Sequence, residues 1–359
     1  MGMHVVIMAG GTGGHIFPAL AVADELKLQG VNITWLGAAG GMEAKLVPDR
    51  GYPVETMTIK GLRGNGAAGW LLAPFRVTKA VLQARTILKR LKPQVVVGLG
   101  GFVSGPGGLA AKLLGIPLVI HEQNAVAGMT NRWLAKIARA VFFAFPQAFA
   151  KHEGNPKFRF SGNPVRSDIV AIPPPEERFS ERQGALKILV LGGSLGALVL
   201  NEVVPEALST LSGGAPIVRH QAGRSTLEKA QSAYKKHSVT AEVTAFIDDM
   251  AAAYTWADVV ICRAGALTVA ELAAAGVGAI LVPYPFAVDD HQTDNAKYLT
   301  EGGAGWLIPQ PQFTVEQVAK LLEGLDRDIL LKTAQKSRSL AITDAAAQVS
   351  NYCLKIGQA

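Results

Sequence analysis

Residues 8–16 read MAGGTGGHI and follow directly on the apolar run HVVI (4–7). An apolar run, a glycine-rich turn and then FPALAVADELKLQG (17–30), which reads as a helix, make a strand–turn–helix unit. The turn is not a Walker phosphate loop, because no Gly-Lys-Ser/Thr follows it. Nor is it the dinucleotide fingerprint: Gly11 and Gly13 are placed for it, but Ile16 stands where the third glycine belongs. The ligand such a turn suits is an anion or a sugar hydroxyl held against bare backbone.

The chain repeats this opening. KILVLGGSLGALVLNEVVPEAL (187–208) is again strand, glycine turn and helix, and PQVVVGLGGFVSGPGGLAAKLLGIPLVIHEQN (93–124) is echoed by ADVVICRAGALTVAELAAAGVGAILVPYPF (257–286). Short β-branched runs alternating with helical patterns predict an α/β protein of two Rossmann-like domains, with parallel sheets flanked by helices and a cleft between them. The Pro/Gly/polar stretch around SGNPVRSD (161–168) and IPPPEERFSERQG (172–184) reads as the linker. It sets an N-terminal domain at 1–163 and a C-terminal domain at 164–340, with the tail 341–359 expected to complete the first.

At 359 residues the chain is long enough for two cores. Cys262 and Cys353 make no metal-ligand spacing, which favours a reducing compartment. The N-terminus enters a strand at once and predicts no signal peptide, and the glycine-punctuated run 93–111 reads as a buried βα unit, not a membrane span. Charge is uneven. Residues 1–163 hold 18 Lys+Arg against 7 Asp+Glu, and the rest 17 against 21. No acidic residue lies between Glu55 and Glu122, where Lys60, Arg63, Arg76, Lys79, Arg85, Lys89, Arg90, Lys92 and Lys112 fall, so a polyanionic surface is the expected partner.

Several constellations compete for chemistry. Gly192-x-Ser194-x-Gly196 fits a nucleophile elbow, with Asp258 and His291 downstream in the order a serine hydrolase needs, but that reading leaves the first glycine loop unexplained. HEQN (121–124) lacks the second histidine of a zinc helix, because Ala125 occupies its place. DRD (326–328) lies in a helical pattern away from any strand end, so no metal site and no cofactor is predicted. Gly265 to Thr268 reads as a helix start suited to an anion, and Glu271 as a ligand or a capping carboxylate. DDHQTDN (289–295) concentrates hydrogen-bonding groups at a strand exit and suits sugar hydroxyls.

GGTGGHIFPALAVA, GGFVSGPGG, HEQN, GNPVR, GGSLGA, FIDDMAAAYTWADVVICRAGALTVAE and DDHQTDNA, in this order from about residue 5 to 305, closely resemble the MurG family of bacterial peptidoglycan N-acetylglucosaminyltransferases. The resemblance implies the two-Rossmann (GT-B) architecture and transfer of N-acetylglucosamine from UDP-GlcNAc to lipid I, giving lipid II, by a peripheral enzyme on the cytoplasmic face of the inner membrane. Carried onto matching positions, it sets Arg166 and Ser194 on the diphosphate, with Ala266, Leu267, Thr268, Val269 and Ala270 at the helix start. Ile247 then meets the uracil and Glu271 the ribose. Gln292, Asn295 and Asn124 contact the N-acetylglucosamine, and Thr12, Gly13 and Gly14 close over the reacting end. Phe102 stands where the family usually has tyrosine, so it is given no catalytic role. A related enzyme with another acceptor, a UDP-GlcNAc epimerase and a nucleotide-sugar sensor are the competing readings.

The implied reaction inverts the anomeric centre and needs a general base on the acceptor hydroxyl. His15 is the first candidate, since an imidazole ordinarily titrates near ~6.5; Glu122 is the second. At 100° per residue Val77, Ala80, Val81, Ala84, Leu88 and Leu91 share one helix face, and Arg76, Lys79, Arg85, Lys89 and Arg90 the other. Trp70, Leu71, Leu72, Phe75 and Leu82 beside that cationic face suit contact with an anionic lipid surface. No recognition motif for nucleic acid accompanies the charge. Beyond UDP-GlcNAc, lipid I and lipid, the resemblance implies cell-wall and division proteins as partners.

Overall fold

The computed structural model describes residues 2–59, 66–193 and 196–358; the side chains of 66–73 and 288 lie outside that description. The chain forms two compact units, Met1–Arg166 with Thr343–Ala359, and Ser167–Ile342. The seam therefore falls three residues beyond the expected 163, and the returning tail begins at 343 instead of 341.

Unit 1 is built on seven parallel strands: β1 (His4–Met8), β2 (Asn32–Ala38), β3 (Val54–Met57), β4 (Val95–Gly98), β5 (Leu118–Glu122), β6 (Ala140–Phe143) and β7 (Phe158–Phe160). Their order is β3-β2-β1-β4-β5-β6-β7. Because helices cover both faces, β1 is apolar on both. Val5 and Ile7 pack with Leu20 and Leu26 of the helix Gly13–Leu28, while Val6 and Met8 pack with Ala84 and Leu88 on the other side. The tail helix Ala345–Gly357 adds Val349 and Cys353 to the first of these cores. Its Tyr352 meets Phe142 edge to face at 5.6 Å and lies under the Arg159 guanidinium.

Unit 2 repeats the plan with β8 (Lys187–Leu191), β9 (Ile217–Gln221), β10 (Glu242–Thr244), β11 (Val259–Cys262), β12 (Gly278–Leu281) and β13 (Gly305–Leu307), all parallel in the order β10-β9-β8-β11-β12-β13. In both units the order reverses beside the first strand, between β1 and β4 and between β8 and β11. A parallel sheet leaves a crevice outside its strand carboxyl ends at that point.

The helix Gly66–Leu91 has the face division read from sequence: Ala80, Val81, Ala84 and Leu88 are buried, while Arg76, Lys79, Arg85 and Lys89 are exposed. Among the described residues no helix is long and apolar enough to cross a membrane.

Two glycines let the loops after β1 and β4 touch. Gly101 has φ +82° and lies on the Gly10 carbonyl, and Gly100, φ +101°, lies against the His15 ring, so a Cβ at either would overlap its neighbour. Gly101→Ala meets both a left-handed backbone and a backbone clash. It is expected to cost about 2–3 kcal/mol of stability, read as a lowered denaturant midpoint at unchanged m-value.

Candidate active site

In unit 1 the first glycine loop is fixed atom by atom. The Trp35 indole donates to the Ala9 carbonyl at 2.8 Å, Gly11 N–H donates to the Glu43 carboxylate at 3.1 Å, and the Thr12 carbonyl accepts from His15 and Ile16. Thr12 is the exposed N-cap of the helix Gly13–Leu28, with no side-chain cap and no acid in the first turn. Gly13, the exposed Gly14 and the half-buried His15 follow. Such a helix start favours an anion through its N–H groups and its dipole.

His15 is oriented by a residue that the sequence reading did not single out. Gln123 donates its amide N–H to the Leu99 carbonyl at 2.8 Å, which turns its Oε1 to His15 Nδ1 at 3.2 Å. Nδ1 is therefore the protonated nitrogen of the neutral ring, and the lone pair sits on Nε2. Glu122 is built differently. It is 2% exposed and accepts from Asn124 N–H, the Asn124 amide, Gly128 N–H and the Asn131 amide at 2.8–3.3 Å. With both oxygens so engaged it shapes the 123–128 turn, and the expectation of Glu122 as second candidate base gives way to that role. Phe102 lies exposed in the loop after β4.

Arg166 closes unit 1. Its guanidinium lies 5.2 Å from the Phe17 ring centre, beside the first glycine loop, so it belongs to this unit and not to the second as expected.

In unit 2 the loops after β8, β11 and β12 leave the same edge of the sheet. Gly192 and Gly196 hold the first of them close: a Cβ at Gly196, φ +81°, would overlap the Ala222 carbonyl and the Thr226 hydroxyl. Ser194 lies outside the described residues. The helix Ala266–Ala275 starts at Gly265 with no side-chain cap. Ala266, Leu267 and half-buried Thr268 open it, and Val269 N–H donates to the Gly265 carbonyl at 2.9 Å. Val269 and Ala270, expected among the UDP-GlcNAc contacts, continue the first turns of this helix. Glu271 is 6% exposed and accepts from the Tyr254 hydroxyl at 3.1 Å, so it is not a capping carboxylate.

Half-buried Gln292 accepts from Tyr284 N–H at 2.9 Å, and fully buried Asn295 donates to the Ala264 carbonyl at 3.2 Å. Asn295 therefore braces the helix His291–Thr300 against the loop after β11 and exposes no surface to a sugar, against expectation. Asp289 and Asp290 both take positive φ at the entry to that helix, a conformation that aspartate tolerates better than most residues. Arg263, also unforeseen, ties the Val282 and Pro283 carbonyls to Gln310 and stacks on Tyr284. Ile247 is half-buried in the loop after β10. The adjoining cavity of about 590 Å³ presents Asp168, Asp248 and Asp249, the wrong charge for a diphosphate.

The serine-hydrolase constellation does not assemble. Asp258 precedes β11, fully buried, paired with Arg182 and accepting from Lys187 N–H at the amino edge of the sheet. The carboxyl edge of β8 lies roughly 13–16 Å away along a strand of this length, and Ser194 is outside the described residues. Asp326 of DRD is an exposed N-cap accepting from Ile329 N–H.

His121 is wholly buried, with Nε2 donating to the Gly162 carbonyl at 2.9 Å, and burial pushes its pKa down to about 4. The unfolded chain protonates this ring near ~6.5 while the folded one stays neutral, so stability is full above that pH and falls as pH drops toward 4. The loss is about 3 kcal/mol by linkage and is expected to shrink in His121→Asn, as read by urea unfolding at pH 7 and 4.5.

Residues 5–143 match the glycosyltransferase family 28 N-terminal domain, and residues 187–349 match the family's C-terminal domain. A protein of Aeromonas hydrophila subsp. hydrophila named UDP-N-acetylglucosamine--N-acetylmuramyl-(pentapeptide) pyrophosphoryl-undecaprenol N-acetylglucosamine transferase is 54% identical over 359 residues, spanning 99% of this chain and 98% of that one. A protein of the same name from Marinobacter nauticus is 53% identical over 353 residues, 98% and 96% of the two chains. The crystal structure of Acinetobacter baumannii MurG is similar with a TM-score of 0.82 at 44% identity, covering 98% of this chain and 99% of that one.

Proposed function

Because the chain belongs to glycosyltransferase family 28, we infer that it transfers N-acetylglucosamine from UDP-GlcNAc to the 4-hydroxyl of the N-acetylmuramyl sugar of undecaprenyl-pyrophosphoryl-MurNAc-pentapeptide (lipid I), forming lipid II for peptidoglycan. The observation that carries this is 54% identity with a transferase of that name along essentially the whole chain. An epimerase, a sensor or a hydrolase has no comparable support.

Unit 2 takes the donor in this reading. The start of the helix Ala266–Ala275 faces the diphosphate with the N–H groups of Ala266, Leu267 and Thr268, joined by Ser194. Glu271, held by Tyr254, takes the ribose hydroxyls, the Ile247 backbone meets the uracil, and Gln292 takes the sugar. The partial positive charge of a helix start balances charge that grows on departing UDP, so no cofactor is invoked. Unit 1 serves the acceptor. Thr12, Gly13 and Gly14 close over donor and acceptor at the reacting end, Asn124 contacts the transferred sugar, and His15 Nε2 takes the proton of the attacking hydroxyl as its oxygen bonds to the anomeric carbon and UDP leaves. Arg166 adds positive charge beside Phe17.

Radiolabelled GlcNAc is expected to pass to a short-chain lipid I analogue with or without EDTA, with kcat falling on the order of 10²–10⁴ in His15→Ala. In Glu271→Ala the KM for UDP-GlcNAc rises. UDP-GlcNAc binding without transfer would overturn the assignment in favour of another acceptor or a sensor.

We further propose that the enzyme works peripherally on the cytoplasmic face of the bacterial inner membrane, close to cell-wall and division proteins. Support comes from Phe75 (73% exposed) and Leu82 (56%), which stand among Arg76, Lys79, Arg85 and Lys89 on the outer face of the helix Gly66–Leu91. Trp70, Leu71 and Leu72, also expected in this contact, have side chains outside the described residues. Flotation with anionic vesicles should be lost in the double variant Arg76→Glu/Lys79→Glu and weakened by salt; binding retained in that variant would refute the contact.

A further inference from the structure

Glu43 stands in GGMEAK (40–45), after β2, and nothing in its sequence surroundings marks it. Its side chain is entirely buried, and among the described residues it forms no ion pair. A buried carboxylate without a cation is unfavourable unless hydrogen bonds replace its water. Here one oxygen accepts Gly11 N–H at 3.1 Å and the other accepts Ala38 N–H at 2.8 Å. Three glycines enclose it. A Cβ at Gly37 would stand 2.6 Å from Glu43 Cγ, and one at Gly10 or Gly41 would overlap the carboxyl group. Only a side chain with two acceptor oxygens satisfies both N–H donors, because glutamine would turn its NH₂ against one of them.

We propose that Glu43 is a positioning residue for the transfer reaction: it clamps the first glycine loop to the end of β2 and thereby sets His15. Gly11, φ +93°, lies two residues before the helix that carries His15, so the register of the loop decides where Nε2 points. This rests on the reading of His15 as the acceptor-side base. Loss of the clamp leaves the Gly11 and Ala38 N–H groups without this acceptor and frees the loop, and a displacement of about 1 Å at a reacting group costs on the order of 10²-fold in rate.

The test is a double-mutant cycle in the transfer assay. In Glu43→Gln, kcat should fall on the order of 10²-fold while calorimetric UDP-GlcNAc affinity stays at the wild-type value. In a His15→Ala background the same substitution should cost nothing further, because the two act through one group. Wild-type kcat in Glu43→Gln, or an equal loss in both backgrounds, overturns the proposal. Full activity in His15→Ala alone instead removes the reading on which it rests. Should Glu43→Gln not accumulate folded, Gly41→Ala keeps the carboxylate, displaces it, and predicts the same pattern.

Discussion

In each unit backbone lies directly on backbone beside the first strand. Gly101, after β4, rests on the Gly10 carbonyl where the strand order of unit 1 reverses, and Gly196, after β8, rests on the Ala222 carbonyl after the neighbouring β9 in unit 2. Any side chain there would push the turns apart, and the helix starts they carry would no longer converge. Parallel strands send all their following helices out of one edge, so the N–H groups of Gly13–Leu28 and Ala266–Ala275 emerge next to these contacts. A diphosphate needs many donors in a small volume, and glycine supplies that density by leaving room for it.

Buried acids hold what the glycines permit. Glu43, Glu122 and Glu271 are each no more than 6% exposed, and each accepts hydrogen bonds from groups on neighbouring segments. Carboxylates accept in several directions at once, so a single residue can fix a turn that has no repeating ladder of its own. Arg263 does the converse in the second unit, donating to carbonyls of the loop after β12. These glycine-rich loops are thus kept in shape by charged side chains turned inward.

The fold was legible because its signals are local. Apolar runs such as HVVI and VVIC, ended by glycine, read as buried parallel strands, and their spacing left room only for helices between them. The seam was misplaced because Val165 is buried and Arg166 stacks on Phe17, a contact between distant parts of the chain. Site roles read from motifs could name Glu122 and Asn295 but not their commitments, which depend on Asn131 and on the Ala264 carbonyl. Glu43 escaped altogether. Its three glycines are scattered over 10–41, and only the pairing of β1 with β2 gathers them around one carboxyl group.

The helix Ala345–Gly357 gives the chain an unusual order of completion. Its Val349 and Cys353 belong to the core of the unit that begins at the N-terminus, with the whole of the other unit encoded between. On a ribosome, residues 167–342 have emerged and can fold as a closed body while the earlier sheet still lacks one of its covering helices. The second half of the polypeptide is therefore the first to be finished. Until the last turn is made, an apolar stripe on the earlier sheet, bordered by Phe142, stays open to chaperones or to misassociation.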